Sequence, residues 1–131
     1  MKTATGSFVV SMSPEDESVE RDGLSYGRFT NSKTFAGDLV GQSEGVMLTA
    51  MTPTKNSAGY VLIEHFSGSL AGRQGSFALQ HSSTMARGEP RQSIMVVPDS
   101  GTGELGGLTG SMTVEVNAEG HRYTFEYSLS H

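Results

Sequence analysis

Glu64 and His81 are the two residues whose types and positions could perform chemistry in this sequence. Glu64 lies in "YVLIEHF", where alternation of side chains places it on the same face as Tyr60. His81 lies in "GSFALQHSSTM", on the same face as Phe77. A carboxylate and an imidazole on otherwise apolar faces form a pair that could orient a ligand or move a proton.

The pairing of these two residues depends on the turn between their strands. If "AGRQ" forms a two-residue turn centred on Gly72 and Arg73, Glu64 and His81 lie directly opposite each other. A turn one residue longer at each strand end pairs Glu64 with Ser83 instead. Both registers are open at this point.

These positions predict a ligand-binding site inside the protein. Glu64 and His81 would be its polar pair, and Tyr60 and Phe77 would form apolar wall nearby. Two other interpretations stay open: a buried pair that satisfies only itself, and a pair covered by another subunit. An unpaired buried Glu is costly, so each interpretation requires a partner for it.

Two glycine motifs formally match catalytic or cofactor-binding patterns. "GQSEG" has the Gly-x-Ser-x-Gly spacing of a nucleophile elbow around Ser43, but that elbow needs a helix after the serine. "GTGELG" has the spacing of a dinucleotide-binding loop, which must also open a helix. Strand-like sequence follows both motifs, so we interpret them as turn glycines and predict no cofactor.

The histidines do not have metal-site spacing. His65, His81, His121 and His131 show neither His-x-His nor His-x-x-x-His, and His121 sits in a turn-like "NAEGH". Because a zinc or cupin-type site needs a closer cluster with a carboxylate nearby, we predict no bound metal.

Composition limits the class of protein. The 131 residues predict a single domain over residues 1–131, and the net charge of −5 with scattered Lys and Arg argues against nucleic-acid binding. Cysteine is absent, which fits a reducing compartment. No apolar run suits a signal peptide or a bilayer span, so the sequence predicts a soluble cytoplasmic protein without membrane contact.

Strand patterns dominate the chain, and helix signals are weak. "GSMTVEV" and "RYTFEYSLS" alternate cleanly, and "SIMVV" ends at Pro98. The best helix start is "SPEDE", with Ser13 as N-cap and Pro14 after it, but no apolar stripe follows. We therefore expect a solvated acidic loop or one helical turn there.

A ten-residue motif occurs twice, and its glycines indicate the architecture of the fold. "GSLAGRQGSF" and "GELGGLTGSM" both read Gly-x-Leu-x-Gly-x-x-Gly-Ser, and "GDLVGQSEG" is a looser third copy. Gly72 and Gly107 sit where a tight reversal needs positive φ, which glycine adopts without strain. Three such hairpins predict an all-β antiparallel meander of about eight strands, closed into a β-barrel.

Several segments resemble a known family. "KTFAGDLVGQSEGVMLTAMTPTKNSAGYV", "GSFALQHSSTMARG" and "GTGELGGLTGSM" are similar to small bacterial proteins known only as a domain of unknown function. The resemblance runs from about residue 3 to 129 and implies an allene oxide cyclase-like fold, an eight-stranded barrel distantly similar to plant dirigent proteins. It implies no catalytic residue, because no stretch matches the catalytic pattern of the plant cyclases. Relatives of this kind bind bulky apolar ligands and form dimers or trimers.

Three functions follow as hypotheses. The leading one is a barrel that holds a small, mostly apolar molecule in its lumen, since short inward residues leave room for one. The second is an isomerase or cyclase with Glu64 as base and His81 as acid or orienting group. The third is a non-catalytic structural or interaction barrel. Outward Val61 and Ile63 favour a homo-oligomer.

Overall fold

The structure is a computed structural model that describes residues 1–129. No helix occurs within that range, and its backbone forms ten strands. They are β1 (Lys2–Pro14), β2 (Val19–Arg21), β3 (Leu24–Gly37), β4 (Leu39–Met51), β5 (Ala58–Leu70), β6 (Arg73–Ala86), β7 (Glu89–Val96), β8 (Thr102–Gly103), β9 (Leu108–Asn117) and β10 (Gly120–Leu129). No helix among these residues is long and apolar enough to cross a membrane.

The eight long strands close into an antiparallel barrel, as predicted. They follow the order β1-β10-β9-β7-β6-β5-β4-β3, and β1 also pairs with β3, which closes the sheet. The short β2 and β8 pair with β3 and β6 outside this path. The seam between β7 and β9 has only two paired positions, Ile94 with Met112 and Met95 with Ser111. Closure removes the free sheet edges that would otherwise invite aggregation.

Strand β1 extends two residues into the acidic segment that the sequence predicted to be a loop or a helical turn. Ser13 and Pro14 belong to β1 and pair with Thr30 and Phe29 of β3, so Ser13 caps no helix. The Glu15 side chain follows directly and accepts a hydrogen bond from Thr30 Oγ1 at 2.9 Å. Because β3 offers a pairing partner this far, the strand continues through residues whose local sequence favours a loop.

The turn between β5 and β6 lies one residue earlier than expected. Leu70 pairs with Arg73, so the turn is centred on Ala71 and Gly72, with φ of 49° and 85°. Positive φ at both central positions is the geometry that follows the twist of a two-stranded hairpin. The predicted centre on Gly72 and Arg73 is therefore wrong, although Gly72 does hold the positive φ expected of it.

This turn also corrects the cross-strand register. Glu64 lies opposite Leu79, not opposite His81 or Ser83, and His81 lies opposite Leu62. The error is two residues, which preserves the face on which each side chain lies. Glu64 and His81 are therefore diagonal neighbours on the inner surface.

The copies of the repeated motif close one end of the barrel. Each copy contributes one leucine, Leu39, Leu70 or Leu105, and all three are fully buried at 0% exposure. Gly107 has a φ of 82°, as a tight reversal requires. In the looser copy, however, Gly41 and Gly45 lie inside β4 rather than in a turn. The repeat thus supplies hairpins and apolar plugs at the same end.

Aromatic rings fill the half of the lumen next to these plugs. The ring centroids of Phe66 lie 5.5 Å from Phe35 and 5.0 Å from Phe77, and Phe77 lies 5.9 Å from Phe125. These distances are those of packed aromatic pairs. This half is a solid core, and the remaining inner surface belongs to the opposite end.

The outer face carries the exposed apolar residues that the sequence indicated. Val61 is 49% and Ile63 is 53% exposed, and the neighbouring Val46 and Leu48 of β4 are exposed beside them. The homo-oligomer inferred from such residues stays a prediction.

Candidate ligand-binding site

A cavity of about 350 Å³ occupies the end of the barrel opposite the leucine plugs. Its wall is mostly apolar, with a few polar side chains from β3, β5, β6, β7 and β10. The lining residues are Phe8, Val10, Met12, Asn31, Lys33, Met47, Tyr60, Leu62, His81, Gln92, Ile94, Val114, Val116 and His121. This volume is within the range of small-molecule sites in proteins.

The cavity exists because the inward side chains differ between the two ends. Inward positions in the filled half carry Phe and Leu, whereas β1 and β9 contribute Val10 and Val114 to the cavity wall. Met12 and Val116 continue the same faces to the rim, where they are 48% and 71% exposed. Small side chains inside and exposed ones at the rim leave the space open to solvent.

A buried cluster centred on Glu64 lies behind the cavity wall, and two of its members, Lys33 and His81, line the cavity. Glu64 Oε2 lies 2.7 Å from Lys33 Nζ, and Ser43 Oγ donates to Oε1 at 3.3 Å. His81 Nε2 lies 3.3 Å from Oε2, but its ring N–H is not aligned for a hydrogen bond. Glu64 is 1%, His81 3% and Lys33 7% exposed, so the cluster is almost inaccessible to solvent.

The partners of Glu64 keep it ionised. Burial by itself raises the pKa of this carboxyl, but contact with His81 and the charges of Lys33 and His81 outweigh burial. The net result is a Glu64 pKa below its ordinary value of 4.5. Glu64 and Lys33 are therefore a neutralising ion pair under ordinary conditions.

Gly45 makes room for the Glu64 side chain. It lies between Asn31 of β3 and Glu64 of β5 in the sheet, and a Cβ placed on it would be 2.9 Å from the Cβ of Glu64. The same stretch of β4 supplies Ser43, the serine of the Gly-x-Ser-x-Gly motif. This serine is a hydrogen-bond donor to a carboxylate in mid-strand, so the motif is not a nucleophile elbow.

Aromatic contacts connect the cluster to the far wall. Lys33 Nζ lies 4.9 Å from the ring centroid of Phe8, within the range of a cation–π contact. Phe8 in turn stacks on His121 with centroids 5.0 Å apart. His121 is thus part of the cavity wall in β10, not a turn residue as its local sequence suggested.

The four predicted site residues all lie inside the barrel but in different places. His81 and Tyr60 line the cavity, and burial raises the pKa of the Tyr60 hydroxyl. Glu64 lies behind the wall, where its partners cover it. Phe77 is fully buried in the filled half and does not line the cavity. Their role in ligand binding stays a prediction.

Sequence reasoning missed Asn31, Lys33 and Ser43 as members of the site. A signal for two of them was present, because Asn31 and Lys33 alternate with the buried Phe35 and therefore share its inward face. The residue type of Lys33 gave no sign of burial, since lysine is almost never buried without a partner. Its partner, Glu64, is 31 residues away along the chain.

The polar side chains do not form a metal centre. Among residues 1–129 no group of three or more His, Asp or Glu side chains could hold a metal ion. His131, the last of the four histidines considered above, lies outside the described residues.

Comparison with known proteins assigns a family. Residues 4–127 match the family described as "Protein of unknown function (DUF3224)". The chain belongs to this family. It is 45% identical to a DUF3224 protein of unknown function from Shewanella oneidensis MR-1, whose crystal structure matches with a TM-score of 0.95 over 99% of this chain and 98% of that chain. No curated protein matches the sequence.

Proposed function

We propose that this DUF3224 protein binds a small, mostly apolar molecule in the open half of its barrel. The observation that carries the proposal is the division of the lumen, one half packed with aromatic rings and the other a cavity of about 350 Å³. Protein interiors are normally close-packed, so an open, apolar space of this size is a feature that needs an occupant. The cytoplasmic setting and the allene oxide cyclase-like resemblance stay predictions beside it.

Binding without catalysis is favoured over the isomerase or cyclase hypothesis. A general base must lie within hydrogen-bond reach of the substrate, and one of its oxygens must be free to accept a proton. Glu64 instead lies behind the cavity wall, where Lys33, Ser43 and His81 surround its carboxylate. Its lowered pKa also makes it a weaker base than an ordinary carboxylate.

Fluorescence titration with prodan, a neutral and environment-sensitive naphthalene dye, tests the proposal. Val10 lines the cavity, and Val9 is the adjacent residue of the same strand, 75% exposed on the outer face. We expect Val10→Phe to fill part of the cavity and raise the Kd of prodan at least about tenfold, while Val9→Phe binds as the wild type does.

The outcome is read together with circular dichroism of each variant. If Val10→Phe does not fold, Val114→Phe fills the cavity from β9, with outward Thr113→Phe as its control. Equal prodan affinity in the folded cavity variant and its matched control would contradict the proposal, because the dye would then bind elsewhere.

A further inference from the structure

Two polar side chains on the cavity wall hold an atom without a hydrogen-bond partner. Within residues 1–129 these buried atoms are Asn31 Oδ1 and His81 Nε2, and each of the two residues is 3% exposed. Nearly all buried polar atoms in proteins are hydrogen-bonded, so an unpartnered pair around one cavity indicates a polar group that belongs there.

The Asn31 side chain offers a hydrogen-bond acceptor to that group, and the His81 ring offers a donor. The amide oxygen of Asn31, in the orientation that the structure gives it, can only accept. His81 Nε2 lies 3.3 Å from the Glu64 carboxylate, which favours a proton on that nitrogen and makes it a donor. A bound molecule must therefore bring a hydrogen-bond donor for Asn31.

The charges of the cluster narrow the class of donor. Lys33 neutralises Glu64, and the cavity wall itself includes Lys33 but no acidic residue. An ammonium group would be repelled by Lys33. A carboxylate would add a second buried negative charge and bring no proton for Asn31. A neutral hydroxyl avoids both costs, because it donates one hydrogen bond and its oxygen accepts from Lys33.

We propose that the molecule bound in this cavity is a neutral, apolar alcohol or phenol with its hydroxyl against Asn31, His81 and Lys33. This inference rests on the proposed function, because it specifies the ligand of the same cavity. The apolar part of the molecule would lie along Val10, Leu62 and the rest of the apolar wall.

A ligand series that varies only the polar group tests the inference. Isothermal titration calorimetry compares 1-naphthol, 1-methoxynaphthalene, naphthalene and 1-naphthoate on the wild-type protein. We expect 1-naphthol to bind at least about tenfold more tightly than 1-methoxynaphthalene, which keeps the oxygen and loses the donor. Asn31→Leu should reduce this ratio, and outward Gln80→Leu, on the same strand as His81, should leave it unchanged.

Each outcome separates the inference from the function on which it rests. Equal affinity for naphthol and its methyl ether, or tighter binding of naphthoate, would overturn the hydroxyl assignment and leave apolar binding intact. A naphthol preference that persists undiminished in a folded Asn31→Leu variant would overturn the assignment to Asn31. Failure of all four compounds to bind would count against the proposed function itself. The wild-type series decides the ligand class even if a variant does not fold.

Discussion

Replacing Lys33 by Met should destabilise the protein strongly, because it leaves the buried Glu64 carboxyl without its closest cation. Lys33 Nζ and Glu64 Oε2 are 2.7 Å apart, and the two side chains are 7% and 0% exposed. Removing one partner of a buried ion pair typically costs about 3–5 kcal/mol. Methionine keeps most of the apolar length of lysine, so the loss reports mainly on charge.

Protonation of Glu64 sets an upper bound on this loss. A carboxyl with its ordinary pKa of 4.5 can escape the unpaired charge at pH 7 by taking up a proton, which costs about 3.4 kcal/mol. We therefore expect Lys33→Met to lose about 3 kcal/mol at pH 7, equivalent to about 10–15 °C in Tm for a chain of this length.

The pH dependence of the loss has a defined sign. In the wild type the Glu64 pKa is lowered, so its stabilising contribution is present above 4.5 and is lost as pH falls through the folded-state value. In Lys33→Met one of the two cationic partners is gone, so we expect burial to raise the Glu64 pKa above 4.5. The stability difference between the two proteins should therefore narrow as the pH falls from 7, and narrow further below about 4.5.

Urea denaturation at pH 7 and pH 4 measures both effects. Lys55→Met, in the exposed loop before β5, is the control for simple loss of a positive charge. The double variant Lys33→Met with Glu64→Gln should recover part of the loss, since it leaves no buried charge. A Lys33→Met protein within about 1 kcal/mol of wild type at pH 7, or a pH-independent difference, would refute the buried-pair argument.

Substitutions of two turn glycines and of Tyr123 test the barrel itself. Gly72→Val and Gly107→Val should each lose about 1–3 kcal/mol through strain at positive φ, whereas Gly59→Val, at a strand position with room for a Cβ, should lose less. Near-neutral melting shifts for both turn variants would contradict this. Tyr123→Phe should lose about 1–3 kcal/mol, because the buried Leu39 N–H donates to that hydroxyl at 2.8 Å and would have no partner. An unchanged Tm would show that the backbone finds another acceptor.

Much of the architecture could be predicted from local sequence. Alternation alone placed Tyr60, Glu64 and His81 on inward faces, because a strand has a side-chain period of two and an error of two residues in register changes no face. The repeated glycines indicated hairpins, since positive φ at Gly72 and Gly107 is a local steric property. These features depend on neighbouring residues only.

The contacts that define the candidate site were decided by the tertiary structure. Lys33 meets Glu64 across 31 residues, and only barrel closure makes a lysine at that position buried rather than solvated. The one-residue shift of the turn to Ala71 and Gly72 determined that His81 approaches Glu64 diagonally. The cavity arises because small inward side chains from distant strands meet at one end, while the repeated leucines meet at the other. Such coincidences depend on which strands become neighbours, and a strand's own sequence does not contain that information.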